Sequence, residues 1–211
     1  MIDKTPTKLR LSAEERRASI VRAATRLFGE KGFRGTTTRE IAAAVGESEP
    51  VLYEHFKTKS DLYSAIIDAA SQEGVSILDA VIEKYAVLED DTGFFEELAN
   101  MIVAWHSEAA DFARVLLFSN LENHELNDLF IERKGSRGID AVARYIERRI
   151  RTGSMRQVDP YLAAKAFLGM ISSYALHEIV FRTHTLNLER SFVVREMVRI
   201  FLGGLCEQEK A

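Results

Sequence analysis

The sequence predicts an all-α protein in which a small head of three helices precedes a larger helical body. Apolar residues recur at helical spacing along most of the 211 residues, and no convincing run of alternating apolar and polar residues suggests a strand. Only three prolines occur, at positions 6, 50 and 160, so long helices can form between them. We expect about nine helices and no sheet, divided into domains of residues 1–58 and 59–211.

The first long helix is predicted from about Ala13 to Lys31. Ser12 can cap its start, with Glu15 at the third helical position to complete a capping box. Gly32 can end it, since glycine tolerates the left-handed conformation that follows many helices. The apolar face of this helix consists of Ile20, Ala23, Ala24, Leu27 and Phe28. Such a helix is the scaffold of the head.

Residues 36–59 predict two short helices joined by a tight turn. Thr37 and Glu40 have the spacing of a capping box, and the apolar face of the first short helix ends at Gly46. The second helix can be capped by Ser48 and has Pro50 in its first turn, and its Val51, Leu52 and Phe56 supply apolar contacts while Tyr53 and His55 point elsewhere. This pattern indicates a helix-turn-helix, whose second helix lies in the major groove of DNA.

The charge of the chain is uneven. The net charge is -4, yet residues 1–60 carry 12 lysines and arginines against 8 acidic residues, while residues 61–211 carry 16 against 24. Phosphate contacts supply most of the sequence-independent affinity for DNA, so a cationic head on an acidic body favours approach of the head to a duplex. Charge alone is equally compatible with a solvated amino-terminal face.

The body is predicted to be helical throughout. A connecting helix from about Thr58 to Leu88 has a possible bend at Gly74, and helices of about 92–107, 110–121 and 125–151 follow, the last weakened by Gly135 and Gly138. Gly153 ends the unit that contains the 125–151 helix. Pro160 then begins a helix to about Arg182, and a final helix covers about 188–207.

The last two helices have wide apolar surfaces, which favours a subunit interface. The segment 161–176 contains one charged residue, Lys165, and is expected to be buried nearly all round. It is shorter than the roughly 20 apolar residues of a membrane span. Two such helices and their symmetry copies can form a four-helix bundle with two-fold symmetry, and a monomer core is the alternative. The predicted dimer contacts are Phe167, Met170, Ile171, Tyr174, Phe192, Met197, Ile200 and Phe201.

The chain resembles the tetracycline-repressor (TetR) family of bacterial transcriptional regulators. The resemblance is densest in residues 17–63, and the remainder matches in length, helix count and the apolar final pair. At one position the chain departs from the family, since Glu47 follows the turn glycine where family members commonly have valine. The matching residues are Arg17, Ile20, Ala23, Ala24, Leu27, Phe28, Glu30, Lys31, Gly32, Phe33, Thr36, Thr37, Ile41, Ala42, Gly46, Ser48, Leu52, Tyr53, His55, Phe56, Lys59 and Leu62.

The resemblance implies a homodimer whose two heads bind the halves of an inverted-repeat operator, most often as a repressor. The second helix of the helix-turn-helix is called the reading helix. We expect phosphate contacts from hydroxyl, ring and ammonium donors, and base contacts from side chains at the start of the reading helix and from Arg39. The expected phosphate contacts are Thr37, Thr38, Tyr53, His55 and Lys59, and the expected base contacts are Arg39, Ser48, Glu49 and Val51. Phe56 is expected in the core of the head. For Tyr53, a position in the core is the alternative to a phosphate contact.

The resemblance also implies a small-molecule effector that binds in the body and changes the distance between the heads. The expected pocket is largely apolar or aromatic, and plain core is the alternative for each of its residues. The candidate lining residues are Met101, Trp105, His106, Phe112, Leu116, Phe130, Met170, Tyr174, His177 and Phe181. No cofactor is indicated, and His106, His124 and His177 lack the short spacing of metal ligands.

Two other classes of protein compete with a DNA-binding regulator. The sequence contains no nucleophile elbow, glycine-rich phosphate loop, zinc-binding helix or Cys–His pair, so an enzyme is not expected. A helical interaction or ligand-binding protein without sequence-specific DNA binding, including one whose basic head binds an anionic membrane, is the other reading. Residues 1–10 lack the apolar core of a signal peptide, and we expect the cytoplasm.

Overall fold

The computed structural model describes residues 12–71, 75–122, 136–183 and 186–205. Within these residues the chain forms ten α-helices and no strand, which confirms the all-α fold with a helix-turn-helix head and a helical body. A π-helical turn, Leu176–Val180, continues the ninth helix. The helices are α1 (Ala13–Gly35), α2 (Thr38–Ala44), α3 (Glu49–His55), α4 (Lys59–Ser71), α5 (Val75–Leu88), α6 (Asp91–Glu108), α7 (Ala110–Leu121), α8 (Ser136–Arg151), α9 (Pro160–Ala175) and α10 (Arg190–Gly203).

Local capping signals located the helix starts of the head. Ser12 with Glu15, and Thr37 with Glu40, form the predicted capping boxes. Ser48 occupies the N-cap position of α3, but its side chain makes no capping hydrogen bond, so that prediction was wrong. Gly32 has a φ of 74° and interrupts the helical backbone where the sequence placed the end of the first helix.

The described body differs from the sequence expectation in the burial of α9. The predicted connecting helix corresponds to α4 and α5, while Gly74 lies outside the described residues. Most of the amino-terminal half of the predicted 125–151 helix, including Gly135, also lies outside them. In α9 the expected burial all round was wrong for a single chain, because Leu162, Lys165, Gly169 and Ser173 expose one face of the helix.

The head is closed by a hydrophobic core that extends into the body. Ile20 and Phe28 of α1, Ile41 of α2 and Leu52 of α3 are each 0% exposed. The same cluster includes Leu62 and Tyr63 of α4 and Phe112 and Val115 of α7. Buried aliphatic and aromatic side chains stabilise a fold in proportion to the apolar area removed from water. Helices α4 and α7 therefore contribute directly to holding α2 and α3 in place.

Helix α7 packs closely against α1 because Gly29 has no side chain. A Cβ atom at Gly29 would lie 2.7 Å from the backbone oxygen of Asp111. Two polar contacts accompany this approach: the Tyr63 hydroxyl donates to the Val115 oxygen at 3.2 Å, and the Arg34 amide donates to a Glu122 carboxylate oxygen at 3.3 Å. The head is therefore fixed to α7 by close packing at Gly29 and by the Arg34 hydrogen bond, and the Tyr63 bond fixes α4 to the same helix.

The body has its own core, built mainly from α6, α8, α9 and α10. A buried charge network lies beside it, in which Arg149 is only 5% exposed and its Nε lies 2.8 Å from the Asp91 carboxylate. The Tyr145 hydroxyl donates to the same carboxylate oxygen at 2.8 Å. Burial first, and then this bond to Asp91, raise the pKa of Tyr145 above its ordinary value. Since a buried charge is tolerated only when paired, the network orders the start of α6 against α8.

Replacing Gly29 by alanine should destabilise the protein. The new Cβ would meet backbone that cannot rotate away, and overpacking of this kind costs about 1–3 kcal/mol. Gly35→Ala, near the end of the same helix, is the matched control, because its Cβ would meet only the Lys31 side chain at 3.4 Å. Chemical denaturation measures the free energy of unfolding of both variants. Equal stabilities would show that α1 and α7 separate at no cost.

Candidate nucleic-acid interface

Helices α2 and α3 form the helix-turn-helix, with Ile41, Ala42 and Leu52 directed into the head core. The turn between them is closed by backbone hydrogen bonds, in which the Gly46 amide donates to Ala43 and the Glu47 amide donates to Ala42. Gly46 has a φ of 72°, a conformation that suits glycine. Because one side of both helices is committed to the core, their polar side chains share the opposite, solvent-facing side.

Most of the predicted DNA contacts lie on or near this solvent-facing side. Thr37, Arg39, Ser48 and Tyr53 are exposed, and Tyr53 keeps 44% of its surface. Phe56 is 3% exposed and belongs to the head core, as the sequence predicted. The remaining predicted contacts are partly exposed: Thr38, Glu49, Val51, His55 and Lys59.

Thr38 joins α2 to α3 through a small polar network. Its hydroxyl donates a short hydrogen bond to the Glu49 carboxylate and lies 3.3 Å from the Tyr53 hydroxyl. In this arrangement the Glu49 carboxylate is already an acceptor within the protein. The network holds Thr38, Glu49 and Tyr53 in one fixed constellation at the start of the reading helix.

Lys59 has a structural role that sequence analysis did not identify. Its ammonium donates to the Thr36 backbone oxygen at 2.7 Å and lies 4.2 Å from the centre of the Phe33 ring. Partial burial lowers the pKa of Lys59 from its ordinary value, while the carboxylates of Glu122 and Glu40 oppose that shift. The start of α4 is thereby attached to the loop that precedes α2.

Two further cations balance acidic side chains of the helix-turn-helix. Lys31 Nζ lies 2.7 Å from Glu40, and its hydrogen bond, followed by those from Thr37, lowers the pKa of Glu40 to about 2. Arg16 Nε lies 2.9 Å from the Glu47 carboxylate but makes no hydrogen bond, so the contact is an ion pair. Sequence analysis missed both pairs, because their partners are nine and thirty-one positions apart and share no helical spacing.

The candidate pocket residues lie in separate parts of the body. Met101, Met170 and Tyr174 pack against the body core, whereas Phe112 and Leu116 pack against the head core. The Trp105 ring contacts both His106 and Phe112, and the exposed His177 and Phe181 rings contact each other with centroids 5.6 Å apart. Phe130 lies outside the described residues. These side chains are therefore not gathered around one point.

Two of the three histidines whose spacing argues against a metal site have local hydrogen bonds. His106 is buried and pairs through Nδ1 with the Ile102 oxygen, and His177 does the same with the Ser173 oxygen. Burial lowers the pKa of His106. Across the described part of the chain, no group of three or more histidine, cysteine or acidic side chains is arranged to hold a metal ion. His124 is outside it.

The predicted dimer contacts divide into buried and accessible residues. Phe167 and Ile171 are each 0% exposed within the single chain, so we do not carry them into the interface proposed below. Phe192 and Ile200 keep 44% and 68% of their surface. Met170, Tyr174, Met197 and Phe201 are partly exposed at the edge of the body core. None of the described helices is both long and apolar enough to cross a membrane.

A helix-turn-helix with exposed polar side chains, mounted on a helical body, defines a DNA-binding transcriptional regulator. Residues 20–66 match the family model of bacterial regulatory proteins of the tetR family. Residues 94–204 match the model of the AefR-like transcriptional repressor C-terminal domain, which alone covers more than half of the chain. The chain belongs to the TetR family of transcriptional regulators.

Individual proteins are similar to this chain over most of their length. The transcriptional repressor AcnR of Corynebacterium diphtheriae is 27% identical over 188 residues, which cover 87% of this chain and 92% of AcnR. The crystal structure of the TetR-family regulator PfmR from Thermus thermophilus has a TM-score of 0.68 at 24% identity, covering 87% of this chain and 97% of PfmR. AibR, in complex with isovaleryl coenzyme A and operator DNA, has a TM-score of 0.65 at 21% identity, covering 88% of this chain and 97% of AibR.

Replacing Lys59 by methionine should destabilise the head even without DNA. Methionine keeps most of the side-chain length but removes the donor to Thr36 and the charge over Phe33, and we expect a loss of about 1 kcal/mol. Lys57→Met is the control, since Lys57 is exposed two positions away. Chemical denaturation of both variants provides the comparison. If the two variants unfold alike, the Lys59 contacts do not stabilise the head.

Proposed function

We propose that this protein binds an inverted-repeat DNA operator as a homodimer, represses transcription there, and is released by a small, largely apolar or aromatic effector. The observation that carries the proposal is the network of Thr38, Glu49 and Tyr53, which joins α2 to α3 on the solvent-facing side of a basic head that also exposes Arg39 of α2. Membership of the TetR family supports it. A regulator of this kind acts in the cytoplasm, where the DNA is.

Each side chain on the reading surface has a proposed task. Thr37, Thr38, Tyr53, His55 and Lys59 contact phosphates and fix the position of the head, because hydroxyl, ring and ammonium donors suit phosphate oxygens. Lys59 can do so while bonded to Thr36, since an ammonium has three donors. Base edges are contacted by Arg39, Ser48, Glu49 and Val51, with Arg39 on guanine and Val51 near a thymine methyl group.

The two-fold interface is formed by the exposed faces of α9 and α10. Leu162 and Ile200 expose 66% and 68% of their surfaces, and several apolar side chains exposed together on two packed helices are typical of an interaction surface. Gly169 lies on the same exposed side of α9, and no atom would lie within 4 Å of an added Cβ there. Small residues allow two helices to approach closely. Met170, Tyr174, Phe192, Met197 and Phe201 complete the surface.

The effector is the least defined partner. The complex of AibR with isovaleryl coenzyme A and operator DNA supports an effector for a protein of this fold. A ligand can lower the affinity for DNA only if it binds the DNA-free conformation more tightly than the DNA-bound one. Met101, Met170 and Tyr174, at the edge of the body core, remain the proposed lining on the body side.

Selection of bound fragments from a random duplex pool, at physiological salt, should yield an inverted repeat. Its half-sites should be separated by about 34–36 Å, or a multiple, because two reading helices related by a two-fold axis contact successive major-groove faces. Arg39→Ala should relax the preference at one base pair per half-site, by about 1–3 kcal/mol. Binding without any sequence preference would instead favour a helical interaction protein.

Replacing Ile200 by glutamate should convert the dimer to monomer. The substitution places a carboxylate, and its two-fold copy, in an apolar interface where neither charge has a partner. We expect the dissociation constant of the dimer, measured by analytical ultracentrifugation, to rise at least roughly tenfold. Val87→Glu is the matched control, because Val87 is 81% exposed on α5, outside the proposed interface. A wild-type monomer, or equal effects of both changes, contradicts the interface.

A further inference from the structure

The turn of the helix-turn-helix carries an acidic side chain that α1 holds in place. Glu47 lies between Gly46 and the start of α3, and its backbone amide donates to the Ala42 oxygen at 3.0 Å. Its carboxylate lies 2.9 Å from the Nε of Arg16, in the first turns of α1. The Arg16 and Glu47 side chains are only 26% and 27% exposed, and the Nε atom itself is buried. The pair is therefore a partly buried ion pair between α1 and the turn, without a hydrogen bond from the Nε.

A free carboxylate at this position would oppose DNA binding. A duplex carries about one negative charge per 1.7 Å of its axis, so an acidic side chain beside the reading helix is repelled. Two other acidic groups of the helix-turn-helix are also engaged: Glu49 accepts from Thr38, and Glu40 pairs with Lys31. Glu47 is the one of these that depends on a cation from the first turns of α1.

We propose that Arg16 is a positioning residue for DNA binding, which neutralises Glu47 and holds the turn before the reading helix against α1 without itself contacting DNA. This inference rests on the proposed function. It explains how the head accommodates glutamate at a position next to the reading helix. It also makes α1 a determinant of how the reading helix is presented, although α1 does not enter the groove.

Arg16→Ala should leave Glu47 unpaired and weaken operator binding by roughly tenfold, since an unpaired like charge at an interface is unfavourable. Glu47→Gln should change affinity by less than about threefold, and the double variant should return to within about threefold of wild type. Arg16→Lys should retain affinity, because it keeps the charge. Arg26→Ala is the control, since it removes the same charge from an exposed position of the same helix. Thermal unfolding verifies that each variant is folded.

Affinity measured over a series of salt concentrations separates the possible roles of Arg16. If Arg16 contacts a phosphate, Arg16→Ala would reduce the slope of log affinity against log salt concentration by about 0.9. Adding Glu47→Gln would then not restore binding, and this outcome overturns the proposal. A role in packing alone would also leave the double variant weak, and overturns it too. Equal effects of Arg16→Ala and Arg26→Ala do the same. Absence of any salt-sensitive duplex binding by the wild-type protein would refute the proposed function itself, and this role with it.

Discussion

Close packing of α1 against α7 is the contact on which the rest of the head depends. Gly29 permits it, because any side chain there would collide with the Asp111 backbone. The packing brings Phe112 and Val115 into the cluster that also buries the inner faces of α2 and α3. The core that holds the reading helices therefore extends beyond residue 58. The head is continuous in sequence, but its core is completed by α7, a helix of the body.

Charge is arranged in the head so that acidic residues serve structure. Glu40 completes a capping box and receives Lys31, Glu47 receives Arg16, and Glu49 receives the Thr38 hydroxyl. Exposed ion pairs contribute little to stability, so their main effect here is on geometry and on the local potential. The two ion pairs each compensate a negative charge near the expected phosphates, while the Thr38 hydroxyl fixes the position of the Glu49 carboxylate. The basic character of the head is preserved although 8 acidic residues occur in its first 60 positions.

Local features of the sequence predicted the head well, because they act within four or five residues. Capping boxes at Ser12 and Thr37 and a positive φ at Gly32 follow from residue type and spacing alone. Long-range contacts could not be predicted in this way. The bond from Lys59 to Thr36, the pair of Arg16 with Glu47 and the approach of Gly29 to Asp111 depend on how helices pack. Likewise, apolar periodicity identified α9 as buried but could not distinguish Phe167, inside its own chain, from Leu162, on the exposed face.

The same packing gives the body two rigid attachments to the reading helices. One is α4, whose first residue, Lys59, is bonded to the loop before α2 and whose Tyr63 is bonded to α7. The other is α7, whose Phe112 and Val115 lie in the head core. On the body side of α7, Arg114 pairs with Asp111 at 2.8 Å and donates to the Val180 oxygen at 3.0 Å. Val180 belongs to the π-helical turn that continues α9, the helix proposed at the dimer interface. Since packed elements move as units rather than deform continuously, a shift of α9 relative to its two-fold copy would be transmitted through Arg114 and α7 to the position of the head.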